Sequence, residues 1–133
     1  MGAERLIAIA TDRDIVTARE EGRELASTLN FSPSDLTVIA VAISEVTRNI
    51  LMYAGQGEVS LCLVDKGSRR GIAVVARDHG PGIENVALAL EDGYSTSGGL
   101  GLGLPGARRL VDEFDIRSAP GNGTTVTLRK WER

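Results

Sequence analysis

Apolar residues come first as a short cluster, Leu6 to Ala10, inside a stretch at 5–11 that reads as a strand. The period then changes. Ile15, Ala18, Gly22, Leu25, Ala26 and Leu29 recur at helical spacing, so a helix runs to about Leu29, capped at its start by Asp12 or Asp14. Ser32-Pro33-Ser34-Asp35 is a second helix start, with a hydroxyl N-cap, Pro at the first helical position and an acid in the first turn. That helix carries Leu36, Ile39, Ala40, Ile43, Thr47, Ile50, Leu51 and Ala54 on one stripe and ends at Gly55 and Gly57. Strands are predicted near 58–65 and 71–77, joined by the polar turn Lys66–Gly71. A short helix near 84–91, a loop from Asp92 to Gly103 and a helix near 104–114 follow, the last with Leu104, Ala107, Leu110, Val111 and Phe114. Strands near 115–119 and 124–131 flank the turn Pro120-Gly121-Asn122-Gly123. Helices mixed with hairpin-linked strands pack best as an α/β (α+β) two-layer sandwich, a mixed sheet with helices on one face.

The chain has 133 residues, which fits one domain spanning 1–133. Its 42% apolar and 25% charged residues are ordinary globular values. A net charge of −3 and 4% aromatics argue against nucleic acid as partner. The first apolar run is too short for a signal-peptide core or a membrane helix, so no membrane association and a cytoplasmic location are expected. One cysteine (Cys62, in a run that reads as a buried strand) and one histidine (His79) exclude an internal disulfide and a zinc site built from Cys and His.

Glycine is the unusual component: 16 residues, about 12% where ~7% is common. Eight of the 16 fall between Gly80 and Gly106, so the excess is local. A glycine-rich loop running into a helix start suits anions, because free N–H groups and the helix dipole face it. No Gly is followed by Lys, so there is no P-loop. Gly101-Leu102-Gly103-Leu104-Pro105-Gly106 satisfies GxGxxG, but no strand precedes it and it reads as accidental. HRD and DFG kinase signatures do not occur.

Four motifs in order point elsewhere. Glu45-Val-Thr-Arg-Asn49 lies on a helix, Asp78-His-Gly80-Pro-Gly82 follows a strand, Gly99-Leu-Gly101-Leu-Gly103 opens a helix, and Gly123-Thr124-Thr125 starts the last strand. Together they resemble the N, G1, G2 and G3 boxes of the GHKL ATPase and kinase superfamily, which uses the Bergerat ATP-binding fold. No phospho-accepting histidine helix precedes the first box, so the chain looks like the small anti-sigma-factor serine/threonine kinases. Ile43–Ile50, Glu91–Gly101 and Leu104–Phe114 are similar to the RsbT-like switch kinases of the stressosome, and the likeness covers essentially the whole chain.

The resemblance implies roles. Glu45 is the general base toward the acceptor hydroxyl or water, and Asn49, four residues on along the same face, ligates Mg²⁺ beside ATP. Asp78 accepts from the adenine amino group, Gly80 and Gly82 let backbone reach the base edge, and Thr124 reaches adenine through its hydroxyl and a water. Thr125 alternates to the other face. Residues 92–103 form an ATP lid, with Ser97, Gly99, Gly101, Leu102 and Gly103 as phosphate donors. His79 is an exposed loop residue. Arg48, Arg108 and Arg109 either neutralise phosphate or hold a partner's acid, and Met52 stands where histidine kinases often carry a phosphate-binding Lys. The implied activity is an ATP-dependent protein serine/threonine kinase and partner switch, using ATP and Mg²⁺. It would phosphorylate STAS-domain stressosome proteins and, once released, activate a PP2C-type phosphatase in sigma-factor control. The alternative is an anti-sigma factor that sequesters a sigma factor.

Overall fold

The computed structural model describes residues 4–82 and 103–133. The predicted helix near 84–91 and most of the lid loop lie outside them. The chain enters through strand β1 (Arg5–Ile9) and passes directly into helix α1 (Asp12–Ala26). Thr11 is the N-cap of α1, and Asp14 does the capping from within the first turn. Its carboxylate accepts from the backbone N–H of Ala10 at 2.8 Å and of Thr11 at 2.9 Å. These bonds hold the Asp14 carboxyl below its usual range. The stabilisation is therefore present above the ordinary carboxylate range and is lost as pH falls through the depressed value.

Helix α2 (Pro33–Tyr53) starts as the sequence predicts: Ser32 Oγ accepts from the Asp35 N–H at 3.1 Å, and Pro33 is the first helical residue. By length and composition α2 could cross a membrane, but more than half of that stretch is buried inside this fold. Ile39, Ile43, Val46 and Ile50 project from it into the core, together with Ala18 and Leu25 of α1.

Strand β2 (Gly57–Lys66) and strand β3 (Arg69–Asp78) form a hairpin whose turn is shorter than the polar segment suggests, since Lys66 and Arg69 already pair. Helix α3 (Gly103–Leu110) leads to strand β4 (Glu113–Ser118), which pairs with strand β5 (Thr124–Trp131). The predicted extension of this helix to residue 114 is not realised. The Asp112 N–H donates to the Arg129 carbonyl at 3.0 Å, and its carboxylate accepts from the Trp131 N–H at 2.8 Å. These bonds pull the chain into the sheet, and Phe114 becomes a strand residue opposite Leu128.

The strand order is β1-β2-β3-β5-β4, and every described pairing is antiparallel. The expected mixed sheet is thus corrected to an antiparallel one. Two helices, not one, lie between β1 and β2; they cross the layer twice and return the chain antiparallel to its start. The α+β two-layer arrangement itself is as expected. Ile7, Val59, Leu61, Val74, Val126 and Leu128 point from the sheet into the helix layer and form the core. The other face carries Leu6, 61% exposed, Arg77 and Thr125. Cys62 also lies on that face and is half-buried, not buried as its apolar run suggested.

The core on the α2 side sets the stability. Ile43 is completely buried, so Ile43→Ala is expected to destabilise by about 2–5 kcal/mol, read by urea unfolding. Leu6→Ala on the open face is expected to change stability by no more than about 0.5 kcal/mol.

Candidate active site

One row of cross-strand partners spans all five strands: Ile9, Gly57, Asp78, Thr124 and Ser118. Ile9 is core, so the row faces the helices. It begins as apolar core and ends as a polar cluster at the edge of the helix layer. Asp78 and Thr124 are only 5% exposed. A buried carboxylate needs donors, and Gly80 supplies one, its N–H reaching Asp78 Oδ1 at 2.9 Å. The Thr124 hydroxyl lies 2.8 Å from Ser118 Oγ, and Ser118 donates to the Gly123 carbonyl at 2.9 Å.

The close packing around Asp78 depends on glycine. A Cβ on Gly57 would collide with the Arg77 carbonyl and stand 2.8 Å from Ile50 Cγ2 and 3.2 Å from Asp78 Cβ. Asp78 therefore sits directly below the last turns of α2. Gly123 has φ +75, and a Cβ there would collide with the Asp78 carbonyl and stand 3.0 Å from His79 Cα. Gly80 packs under Ala54 and the Tyr53 carbonyl, and Gly82 lies against the Ala119 carbonyl. The Gly121 N–H donates to the Pro81 carbonyl at 2.7 Å, which ties the loop after β3 to the β4–β5 turn.

Glu45 lies farther back on α2, 7% exposed despite its charge. Arg48 Nη1 is 3.2 Å from each of its carboxylate oxygens, and the Gly103 N–H at the start of α3 donates to Oε1 at 3.2 Å. The Arg48 side chain thus holds the neighbouring carboxylate. Asn49, half-buried, follows Glu45 by one turn. Eight helical residues separate Glu45 from Tyr53, about 12 Å at 1.5 Å per residue. The site therefore has two poles along α2: an acceptor-rich pole at Asp78 and Thr124, and a carboxylate pole at Glu45 and Asn49.

His79 is exposed, as expected, and so are Met52, Arg108 and Arg109. Thr125 points to the opposite face from Thr124, opposite Arg77. Ser97, Gly99, Gly101 and Leu102 lie outside the described residues. Gly103 is described, and its N–H is bonded to Glu45. Ser118 is the residue that motif reading passed over. Its signal was positional: it closes β4 directly opposite Thr124 across the Pro120–Gly123 turn. Among the described residues no group of three or more His, Cys, Asp or Glu is arranged to hold a metal.

Residues 9–130 match the family described as "Histidine kinase-like ATPase domain". The serine/threonine-protein kinase RsbT of Bacillus subtilis is 45% identical over 133 residues, 100% of each chain. An anti-sigma F factor of Clostridium acetobutylicum is 27% identical over 119 residues, 85% of this chain and 82% of that one. Among solved structures, the mycobacterial sensor histidine kinase MprB superposes with a TM-score of 0.59 at 20% identity, covering 98% of this chain and 99% of that one. That last likeness speaks to fold alone.

The packing around Asp78 makes a direct prediction. Gly123→Ala forces a positive φ on a residue with a side chain and drives it into the Asp78 backbone, so a cost of about 1–3 kcal/mol is expected in thermal unfolding. An unchanged Tm would show that the β5 entry does not constrain Asp78.

Proposed function

The chain belongs to the histidine kinase-like ATPase domain family and, within it, to the RsbT-like protein serine/threonine kinases; from that premise we propose how its residues divide the work of phosphoryl transfer and which proteins it acts on. The observation that carries the reading is the buried Glu45 carboxylate, oriented by Arg48 and the Gly103 N–H one turn ahead of Asn49.

Asp78 and Thr124 receive the adenine at the far pole, and the nucleotide lies along α2 with its phosphates toward Asn49 and α3. Mg²⁺, when bound, neutralises charge on the phosphates. Asn49 would hold it, and no described acidic cluster competes for it. Glu45 accepts the proton of the incoming Ser or Thr hydroxyl and orients its oxygen toward the terminal phosphate. Arg48 and Gly103 keep that carboxylate in one position before the acceptor arrives. Ser97, Gly99, Gly101 and Leu102, with Gly103, would supply donors to the phosphates, as the motif implies. Gly80 and Gly82 line the base edge.

The acceptors in this reading are STAS-domain proteins of a stressosome, and the released kinase activates a PP2C-type phosphatase, all in the cytoplasm. Identity over the full length to RsbT supports this. The anti-sigma F factor relatives support a second reading, sequestration of a sigma factor, at lower identity and shorter coverage.

Glu45→Ala is expected to lower transfer to a STAS acceptor by about 10²–10⁴-fold or more, because a general base contributes that much. Affinity for Mg-ADP should stay within a few-fold. Labelling of the acceptor at the wild-type rate would remove Glu45 from the chemistry. Stable capture of a sigma factor without any transfer would select the second reading.

A further inference from the structure

We propose that Ser118 is a specificity-determining positioning residue: it fixes the direction of the Thr124 hydroxyl so that the pocket offers only acceptors to the base. The inference rests on the adenine pole assigned above and concerns which purines that pole admits.

A serine hydroxyl has one proton. Ser118 gives it to the Gly123 carbonyl at 2.9 Å, since a carbonyl oxygen can only accept. The 2.8 Å contact between Ser118 Oγ and Thr124 Oγ1 then takes its proton from Thr124. Thr124 has spent its own single proton, and the rest of its oxygen is lone pairs. Beside it in the same cross-strand row stands Asp78, whose carboxylate also accepts, from Gly80.

Two adjacent acceptors match a purine with an amino group at C6 and oppose one with a carbonyl there. A free threonine hydroxyl would not discriminate, because it can rotate and donate. Ser118 removes that freedom without touching the base. It can do so because antiparallel register places it directly opposite Thr124, across a turn whose last residue, Gly123, supplies the receiving carbonyl. Discrimination of this kind is strong because the wrong partner leaves buried polar groups unpaired.

The test compares ATP with ITP, which differ at C6, by calorimetric affinity for wild type, Ser118→Ala, Ser118→Cys, Ser118→Thr and Thr124→Val. Wild type should prefer ATP. Ser118→Ala should cut the ATP-to-ITP preference by about tenfold, mainly by improving ITP relative to ATP. Ser118→Thr should retain the preference. Ser118→Cys nearly keeps the volume with a much weaker acceptor and should cut it similarly, which guards against an Ala variant that fails to fold. Thr124→Val should cut it to a similar degree, and adding Ser118→Ala to Thr124→Val should change it no further. A merely structural Ser118 would weaken both nucleotides equally. An unchanged ratio in Ser118→Ala and Ser118→Cys, or a wild type that binds both nucleotides alike, overturns the proposal. A wild type that binds neither instead brings down the nucleotide reading on which it rests.

Discussion

Burial of α2 along the sheet is the constraint on which the site depends. A 21-residue helix with Ile39, Ile43, Val46 and Ile50 in the core has one rotational setting that keeps all four out of water. That setting carries Glu45 to the margin of the core, where its charge can still be met by Arg48 and the Gly103 N–H. It also brings Ile50 down onto Gly57, so that the end of α2 roofs Asp78. Moving α2 by one residue would rotate it by about 100° and separate the two poles. The geometry of the chemistry is therefore a consequence of apolar packing, with the polar groups placed where packing leaves room.

The two poles use different physics. At the Asp78 end the polar side chains are nearly buried, where an unmatched donor or acceptor is costly. At the Glu45 end, orientation matters more than binding. The carboxylate is buried, while Arg48 is 43% exposed, so their ion pair is partly screened and acts chiefly through geometry. Backbone groups complete both ends: the Gly80 N–H at one, the Gly103 N–H at the other. Such donors need no side-chain ordering when ligand arrives. That economy explains why a chain with one histidine and one cysteine can carry this chemistry.

Much of this was legible from the residues. Periodicity located α2 and its start, because Ser32 and Pro33 act locally and tertiary contacts do not override them. The order of the four boxes placed Glu45, Asn49, Asp78 and Thr124 on the correct kinds of element. Long-range bonds were not legible. The end of α3 depends on Asp112 meeting Arg129 and Trp131, residues remote in sequence, so the helical pattern through Phe114 overshot. The antiparallel sheet depends on two helices turning back within one connection, which a strand-by-strand reading does not weigh. The pairing of Arg48 with Glu45, three residues away, was not read, because Glu45 was weighed only as a base. Ser118 carries no motif and acquires meaning only from cross-strand register.

The central claim is that the base pocket at Asp78 and the catalytic carboxylate at Glu45 belong to one nucleotide site along α2. The most direct measurement is the map of backbone amide shifts in ¹⁵N-labelled protein titrated with Mg-ADP. The account predicts that shifts concentrate at 45–53, 78–82, 103 and 118–124, while Leu6, Ser60 and Thr127 on the open face stay still. Shifts centred on that open face, with Asp78 and Thr124 unmoved, would contradict it.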